Sequence, residues 1–277
     1  MTQATATPVA LTIAGSDSSG GAGIQADLKT FTAFAVYGAS VLTALTAQNT
    51  KGVAAVHPVP ASFVRAQIRA VFDDLAVGAV KTGMLANAEV VLAVAGEMGR
   101  HPEVPLVVDP VMVSTNGDLL LEADAVSALK SRLLPRADLI TPNLPEAASI
   151  LGGKVAASEA EMVEQGRRLL ELGCGAVLIK GGHGVGAAAV DVLVTAAGST
   201  ARLESPRIET LNTHGTGCTL SAAIAALLAM GEPLESAVRR AKTYVTRAID
   251  HGREQAIGHG RGPVDHLFAI RTATPPA

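Results

Sequence analysis

Asn212-Thr-His-Gly-Thr-Gly-Cys218 runs directly into an Ala- and Leu-rich segment and is the strongest local signal in the chain. Glycines let the backbone turn sharply and aim successive N–H groups at one point, and a helix that follows adds partial positive charge there. Gly215, Thr216 and Gly217, with Cys218 in the first helical turn, therefore read as an anion hole able to hold phosphate oxygens in transfer. The same pattern also describes an ordinary helix entry in which Cys218 packs as a small hydrophobe.

A second set of capable residues stands at the ends of apolar runs. Asp109 follows Leu106-Val-Val, Thr141-Pro-Asn-Leu-Pro-Glu146 follows Leu139-Ile140, and Lys180-Gly-Gly-His183 follows Val177-Leu-Ile179. Asp109 and Glu146 could hold Mg²⁺, directly or through water, since that hard cation takes oxygen ligands. Lys180 could meet a nucleotide phosphate. Turn formation at Asp109-Pro and Asn143 is the plainer alternative. A third set lies in Gly15-Ser-Asp-Ser-Ser-Gly-Gly-Ala-Gly-Ile-Gln-Ala-Asp27, with Gln48 further on. The Gln48 amide offers a donor and an acceptor side by side, suited to an aminopyrimidine edge, and Asp27 can accept from a hydroxyl or amine. Equally, Asp27 can serve as a favourable charge near a helix N-terminus, and Gln48 can merely satisfy backbone groups.

Several familiar motifs fail. Gly21-Ala-Gly23-Ile-Gln-Ala26 matches G-x-G-x-x-G/A, but no Asp or Glu lies between Leu28 and Phe72 to bind ribose hydroxyls. There is no G-x-x-x-x-G-K-[ST], no G-x-S-x-G and no H-E-x-x-H, which removes P-loop, common hydrolase and zinc-protease chemistry.

These residues need a scaffold. Strands are expected at 8–14, 41–46, 77–81, 106–108, 138–140, 176–179, 188–195 and 200–206. Helices are expected at 24–34, 61–72, 89–98, 123–133, 144–151, 158–172, 216–230 and 233–250. On the 61–72 helix, Phe63, Ala66, Ile68 and Val71 are among the apolar positions. Continuous apolar strands spaced by helices argue for an α/β chain with a mostly parallel central sheet covered on both faces. In such a sheet, ligands bind beyond the carboxyl ends of the strands, where the polar sets above stand. No low-complexity linker or internal repeat divides the chain, so residues 1–277 read as one domain with an ordered core over about 8–271.

Of 277 residues, 48% are hydrophobic and 17% charged, enough apolar surface for a core and too little charge for a disordered chain. A net charge of −3 argues against nucleic-acid binding. The two cysteines, Cys174 and Cys218, are too far apart for a CxxC motif, so a reducing cytoplasm is expected. Residues 30–50 and 210–231 carry no charge, but five Thr with Gln48 and Asn49 in the first, and His214, Gly215 and Gly217 in the second, favour buried soluble elements over membrane spans. No basic leader or cleavage motif opens the sequence.

Taken together, the segments 11–31, 46–53, 81–85 (KTGML), 107–113 (VVDPVMV), 139–147, 179–183 and 212–223 closely resemble the hydroxymethylpyrimidine and phosphomethylpyrimidine kinases of thiamine biosynthesis, in the ribokinase-like superfamily. The resemblance spans most of the chain in the family's order. It implies a three-layer α/β/α fold and two successive phosphorylations with ATP and Mg²⁺. The hydroxymethyl group of 4-amino-5-hydroxymethyl-2-methylpyrimidine is phosphorylated first, and the monophosphate becomes the diphosphate. By resemblance, pyrimidine contacts fall on Gly15, Asp27, Gln48, Met84 and Val111. Nucleotide and metal positions fall on Asp109, Asn143, Glu146, Lys180 and Thr213. Cys218 stands where many related sugar kinases carry an aspartate base. A homodimer is common in the superfamily and is expected here. Ser114-Thr-Asn116 departs from the Ala-Lys that family members often carry at this loop. A pyridoxine or pyridoxal kinase is the nearest rival, a sugar kinase a more distant one, and a catalytically silent pyrimidine- or nucleotide-binding protein the alternative from another class.

Overall fold

A computed structural model describes residues 7–112, 123–182 and 186–271. Ser114–Asn116, His183 and the segments 1–6 and 272–277 lie outside the described residues. Within them, the apolar runs become strands β1 (Val9–Asp17), β2 (Tyr37–Asn49), β3 (Gly52–Pro58), β4 (Ala79–Thr82), β5 (Leu106–Val108), β6 (Leu139–Ile140), β7 (Ala176–Ile179), β8 (Ala188–Thr195) and β9 (Thr200–Pro206). They form one sheet in the order β3-β2-β1-β4-β5-β6-β7-β8-β9. Pairing is parallel from β2 through β7 and antiparallel at both margins, β2–β3 on one side and β7–β8–β9 on the other.

Helices α1 (Gly23–Ala33), α2 (Ala61–Phe72), α3 (Ala88–Met98), α4 (Ala123–Ala128), α5 (Leu144–Leu151), α6 (Glu159–Leu170), α7 (Thr216–Ala229), α8 (Leu234–Gly252) and α9 (Phe268–Arg271) supply the layers. Because successive strand side chains point to opposite faces, each central strand feeds two cores. Leu11 and Ile13 of β1, Val80 of β4, and Leu106 and Val108 of β5 join Val64, Ile68, Val91 and Ile150 in one core. Ala10, Ala79 and Val107 from the same strands join Phe31 of α1, Ile224 of α7 and Val238 of α8 in the other. Sequence and structure agree on an α/β/α arrangement. No helix among the described residues is long and apolar enough to cross a membrane.

Three local expectations are corrected. β3 was not expected: from Ala54 onward its residues are exposed, so no buried face marks it in sequence, and pairing with β2 creates it. Residues 129–133 form a π-type turn after α4 instead of continuing the α-helix. On α2 the buried positions are Val64 and Ile68, whereas Phe63 is 60% exposed and Ala66 is exposed.

This assignment of the α2 face carries a stability prediction. Ile68→Ala is expected to cost about 2–5 kcal/mol through transfer and cavity terms. Phe63→Ala should stay within about 0.5 kcal/mol of the parent, as surface substitutions do. Urea denaturation of the two variants measures both, and equal losses would overturn the assignment.

Candidate active site

Backbone hydrogen bonds carry the parallel pairing one residue past each central strand and so fix what stands on the sheet's carboxyl crest. The N–H of Asp109 donates to Thr82 O (3.0 Å), that of Thr141 to Val108 O (3.0 Å), and that of Lys180 to Pro142 O (2.8 Å). The polar residues after β5, β6 and β7 are thereby set side by side.

The turn before α7 arrives at the same place. Gly215 caps the helix with φ +81°, a left-handed conformation that favours glycine. Thr216 closes the turn, donating both its N–H (3.2 Å) and its hydroxyl (2.7 Å) to Thr213 O. A Cβ on Gly217 would lie 3.2 Å from Lys180 Nζ and 3.6 Å from Asp109 Oδ2. The absence of a side chain there brings the first turn of α7 against the crest cation and carboxylate. Cys218 is half-buried beside them. Burial pushes its thiol up to about 11, with Asp27 and Asp109 adding to the rise while Lys81 opposes it. Burial and the two carboxylates prevail over Lys81 and hold the thiol above its ordinary range.

Lys180 is the hub of the crest. Its ammonium donates to Asp109 Oδ1 (2.8 Å) and stands 3.9 Å from Glu146 Oε2. Asp109 also accepts from Thr141 Oγ1 (3.0 Å) and more weakly from Ser221 Oγ (3.3 Å). Burial alone would raise the Asp109 carboxyl, but Lys180 and Lys81 hold it below its ordinary range. Glu146 is pushed up to about 7, by burial first and by the nearby Asp109 charge, against the pull of Lys180. Two hard oxygen-donor groups converging on one cation suit Mg²⁺ chemically. Glu146 has a second duty: it accepts from Asn143 N–H (2.7 Å) while Asn143 Oδ1 accepts from Glu146 N–H (2.8 Å), a reciprocal cap on α5. The Asn143 side chain is thus committed to the helix start.

The residues expected to hold a heterocycle gather around the ends of β1, β2 and β4. Gly15 admits Met84, since a Cβ there would lie 2.3 Å from Met84 Cε. Val111 follows Asp109 in a tight turn, its N–H donating to Asp109 O (2.8 Å). Gln48 is anchored to the turn after β1 by its backbone, which exchanges hydrogen bonds with Ser18 Oγ (2.8 and 2.9 Å). Asp27 differs from the simplest expectation. It is fully buried, and its carboxylate accepts from Lys81 Nζ at 3.0 and 2.8 Å and from Thr12 Oγ1 at 2.6 Å. Thr213 lies at the start of the anion-hole turn, its carbonyl holding Thr216.

Three contributors escaped the sequence reading: Lys81, Asp17 and His214. Lys81 is a lone charge in a strand buried on both faces, and that mismatch was the available signal. Burial disfavours its ammonium, yet Asp27, Cys218 and Asp109 outweigh this and raise its pKa. Asp17 organises the glycine-rich turn: Oδ1 accepts from Ser19 N–H (2.8 Å) and Oγ (2.7 Å), Oδ2 from Gly21 N–H (3.1 Å) and Ala22 N–H (2.8 Å).

The chain is similar to known proteins over most of its length. The family model described as phosphomethylpyrimidine kinase matches residues 17–265. A hydroxymethylpyrimidine/phosphomethylpyrimidine kinase of Rhizobium meliloti is 56% identical, over 94% of this chain and 97% of its own. A thiamine biosynthesis bifunctional protein of Geobacter sulfurreducens is 52% identical over 94% of this chain, which spans 52% of that longer protein. Among solved structures, a Bacillus subtilis pyridoxal kinase in an ADP complex superposes with a TM-score of 0.86 at 38% identity, covering 96% of this chain and all of that one.

Two measurements test the electrostatics. Glu146 folds with a pKa near 7 against 4.5 for the ordinary side chain, so between these values the folded state holds a proton that the unfolded chain has released. Stability tied to Glu146 is therefore present at low pH and lost as pH rises through 7. Glu146→Gln, which can keep the cap on α5, is expected to gain Tm over the parent progressively from pH 4.5 to 7 and hold that gain above it. A constant difference across the range would contradict the assignment. For Cys218, the alkylation rate by iodoacetamide should climb without a plateau up to about pH 11, and a plateau near neutrality would show a thiolate instead.

Proposed function

The chain belongs to the phosphomethylpyrimidine kinase family, and from that premise we propose that it transfers phosphoryl groups from ATP, first to 4-amino-5-hydroxymethyl-2-methylpyrimidine and then to its monophosphate, in thiamine biosynthesis. The observation that carries the reading is the side-chain-free face of Gly217 against Lys180 and Asp109, which brings an anion-binding helix N-terminus, a cation and a carboxylate to one point. Phosphoryl transfer depends mainly on positioning and charge stabilisation, and these groups supply both.

In this reading the N–H groups of Gly215, Gly217 and Cys218 hold the transferred phosphate oxygens, while that of Thr216 keeps the turn closed on Thr213 O. Lys180, with Asn143 and Thr213, lines the nucleotide side. Gly15, Asp27, Gln48, Met84 and Val111 shape the pyrimidine side. Asp27 acts from beneath, paired with Lys81. Asp109 and Glu146 would hold Mg²⁺, which when bound neutralises nucleotide phosphate charge. Cys218 stands beside the acceptor hydroxyl; only its minor thiolate form can take that proton, and a weak base suffices for a loose transition state. The second acceptor is already an anion and needs no base.

The proposal includes a single domain, a homodimer and a cytoplasmic setting, with no nucleic-acid partner; the net charge of −3 supports the last point. One observation favours a second reading: the likeness to a pyridoxal kinase structure at a TM-score of 0.86 makes pyridoxal a further acceptor to test.

A coupled ATP assay with products resolved by mass spectrometry tests the function. Turnover of hydroxymethylpyrimidine and its monophosphate is expected; turnover of pyridoxal alone would transfer the chain to the second reading. The first step should accelerate from pH 7 to 9 while the second does not. Cys218→Ser should slow the first step by about 10²-fold, the low end for a general base, and leave the second largely intact. Equal effects on both steps would remove Cys218 from the proton-accepting role.

A further inference from the structure

The segment Gly21-Ala-Gly23-Ile-Gln-Ala26 has no dinucleotide to serve, yet its glycines are packed too closely to admit side chains. A Cβ on Gly21 would lie 2.4 Å from Cδ2 of His214, and one on Gly23 would lie 2.4 Å from the carbonyl oxygen of Gly15. From the opposite side, a Cβ on Gly215 would lie 1.9 Å from the carbonyl oxygen of Gly21. The turn before α1 and the turn before α7 therefore touch backbone to backbone, with the His214 ring wedged beside the contact.

His214 is 5% exposed and held from three directions. Its N–H donates to Gly262 O (3.0 Å) and its carbonyl accepts from Val264 N–H (3.4 Å), which ties it to the C-terminal segment. Its Nε2 lies 2.8 Å from Asp17 Oδ2 and 3.4 Å from Gln48 Nε2, while Gln48 Oε1 lies 3.1 Å from Thr46 Oγ1. Asp17 is held as a carboxylate, its pKa depressed below the usual range: burial opposes this, but hydrogen bonds from His214 and Ser19 overcome it. A carboxylate only accepts, so Nε2 carries the proton and donates.

That donor decides the orientation of Gln48. The one proton on Nε2 goes to Asp17 at 2.8 Å, so toward Gln48 it presents only the positive flank of that N–H, with no lone pair to accept from an NH₂ group, and this favours the amide oxygen on that side. On the other side, Thr46 Oγ1 spends its single proton on Ser16 O (2.8 Å) and must accept from whichever Gln48 atom lies 3.1 Å away. Both neighbours favour exchanging the two ends of this amide, so that the oxygen faces His214 and the NH₂ faces Thr46; carbonyl and amine ends interchange at no geometric cost. The remaining lone pair and N–H of Gln48 are then presented in a defined order.

We infer that His214 is a positioning residue for the proposed reaction, locking the two glycine turns together and setting the Gln48 amide, so that one side chain aligns the anion hole with the group that reads the heterocycle. The inference rests on the kinase reading of this site. Misplacement of transfer groups by an ångström costs about 10²-fold in rate, which sets the scale of the expected effect.

The test compares His214→Leu, which removes the donor, with His214→Gln, whose amide N–H extends to a similar reach. His214→Leu is expected to lose about 10²-fold in kcat for hydroxymethylpyrimidine. Amide hydrogen exchange should accelerate by about tenfold or more at residues 18–22 and 213–219, with the core strands unchanged. His214→Gln should stay within about fivefold of the parent in both readouts. Parent-like kcat and local exchange in the leucine variant, or equal impairment of both variants at equal Tm, would overturn the inference. Should the leucine variant not fold, His214→Asn, whose amide is too short to reach Asp17, replaces it. If the parent protein turns over no hydroxymethylpyrimidine, the kinase reading fails by itself, and the local exchange still decides the role of His214.

Discussion

Gly215 approaches the carbonyl of Gly21 so closely that any side chain would lie 1.9 Å from that oxygen, and this contact orders the site around it. α1 and α7 start on the same face of the sheet, and their glycine-rich entries can share the crest only if neither turn carries a Cβ at the meeting point. Once they do, the first turn of α7 comes to rest against Lys180 and Asp109, and α1 hangs Asp27 over β4. Two sequence-distant turns become one surface.

That surface is built from charges buried in a chain that is otherwise strongly apolar. Lys81 and Asp27 are both fully buried, and Lys180 and Asp109 nearly so. Burying each charge without its partner would be severe, and breaking such a pair costs about 3–5 kcal/mol, so each cation is matched to a carboxylate within hydrogen-bond distance. The two pairs have different exposure and different uses. Lys81 lies beneath the crest, where Gly83 leaves room for its ammonium, since a Cβ there would lie 2.9 Å from Nζ. Lys180 retains some exposure on the crest, where an anionic ligand can compete for it. The cost of burying Glu146 beside Asp109 appears as a carboxyl near neutrality, and the protonated thiol of Cys218 expresses the same crowding of negative charge.

Much of the scaffold was legible before any coordinates. Helix 61–72 and strands 106–108, 176–179 and 188–195 coincide with the observed elements, because buried strands and amphipathic helices carry their period in the apolar residues. Strand 200–206 coincides as an edge strand marked by one buried residue, Leu203. β3 was not legible, because an exposed edge strand has no apolar face and exists through its partner. The α2 face was misjudged at Phe63 because a helix offers several apolar stripes, and only the position of the sheet selects between them.

The chain by itself determined the parallel centre of the sheet, the polar residues on its crest and the glycines that admit the α7 turn, since these follow from local period, turn chemistry and position after a strand. Which charges would pair was decided by tertiary structure alone. Lys81 meets Asp27 across 54 residues and His214 meets Asp17 across 197, contacts that no local pattern encodes. The protonation state of Cys218 belongs to the same class. A helix terminus, a burial cost, two carboxylates and two lysines act on that sulfur at once, and only their three-dimensional placement settles which prevails.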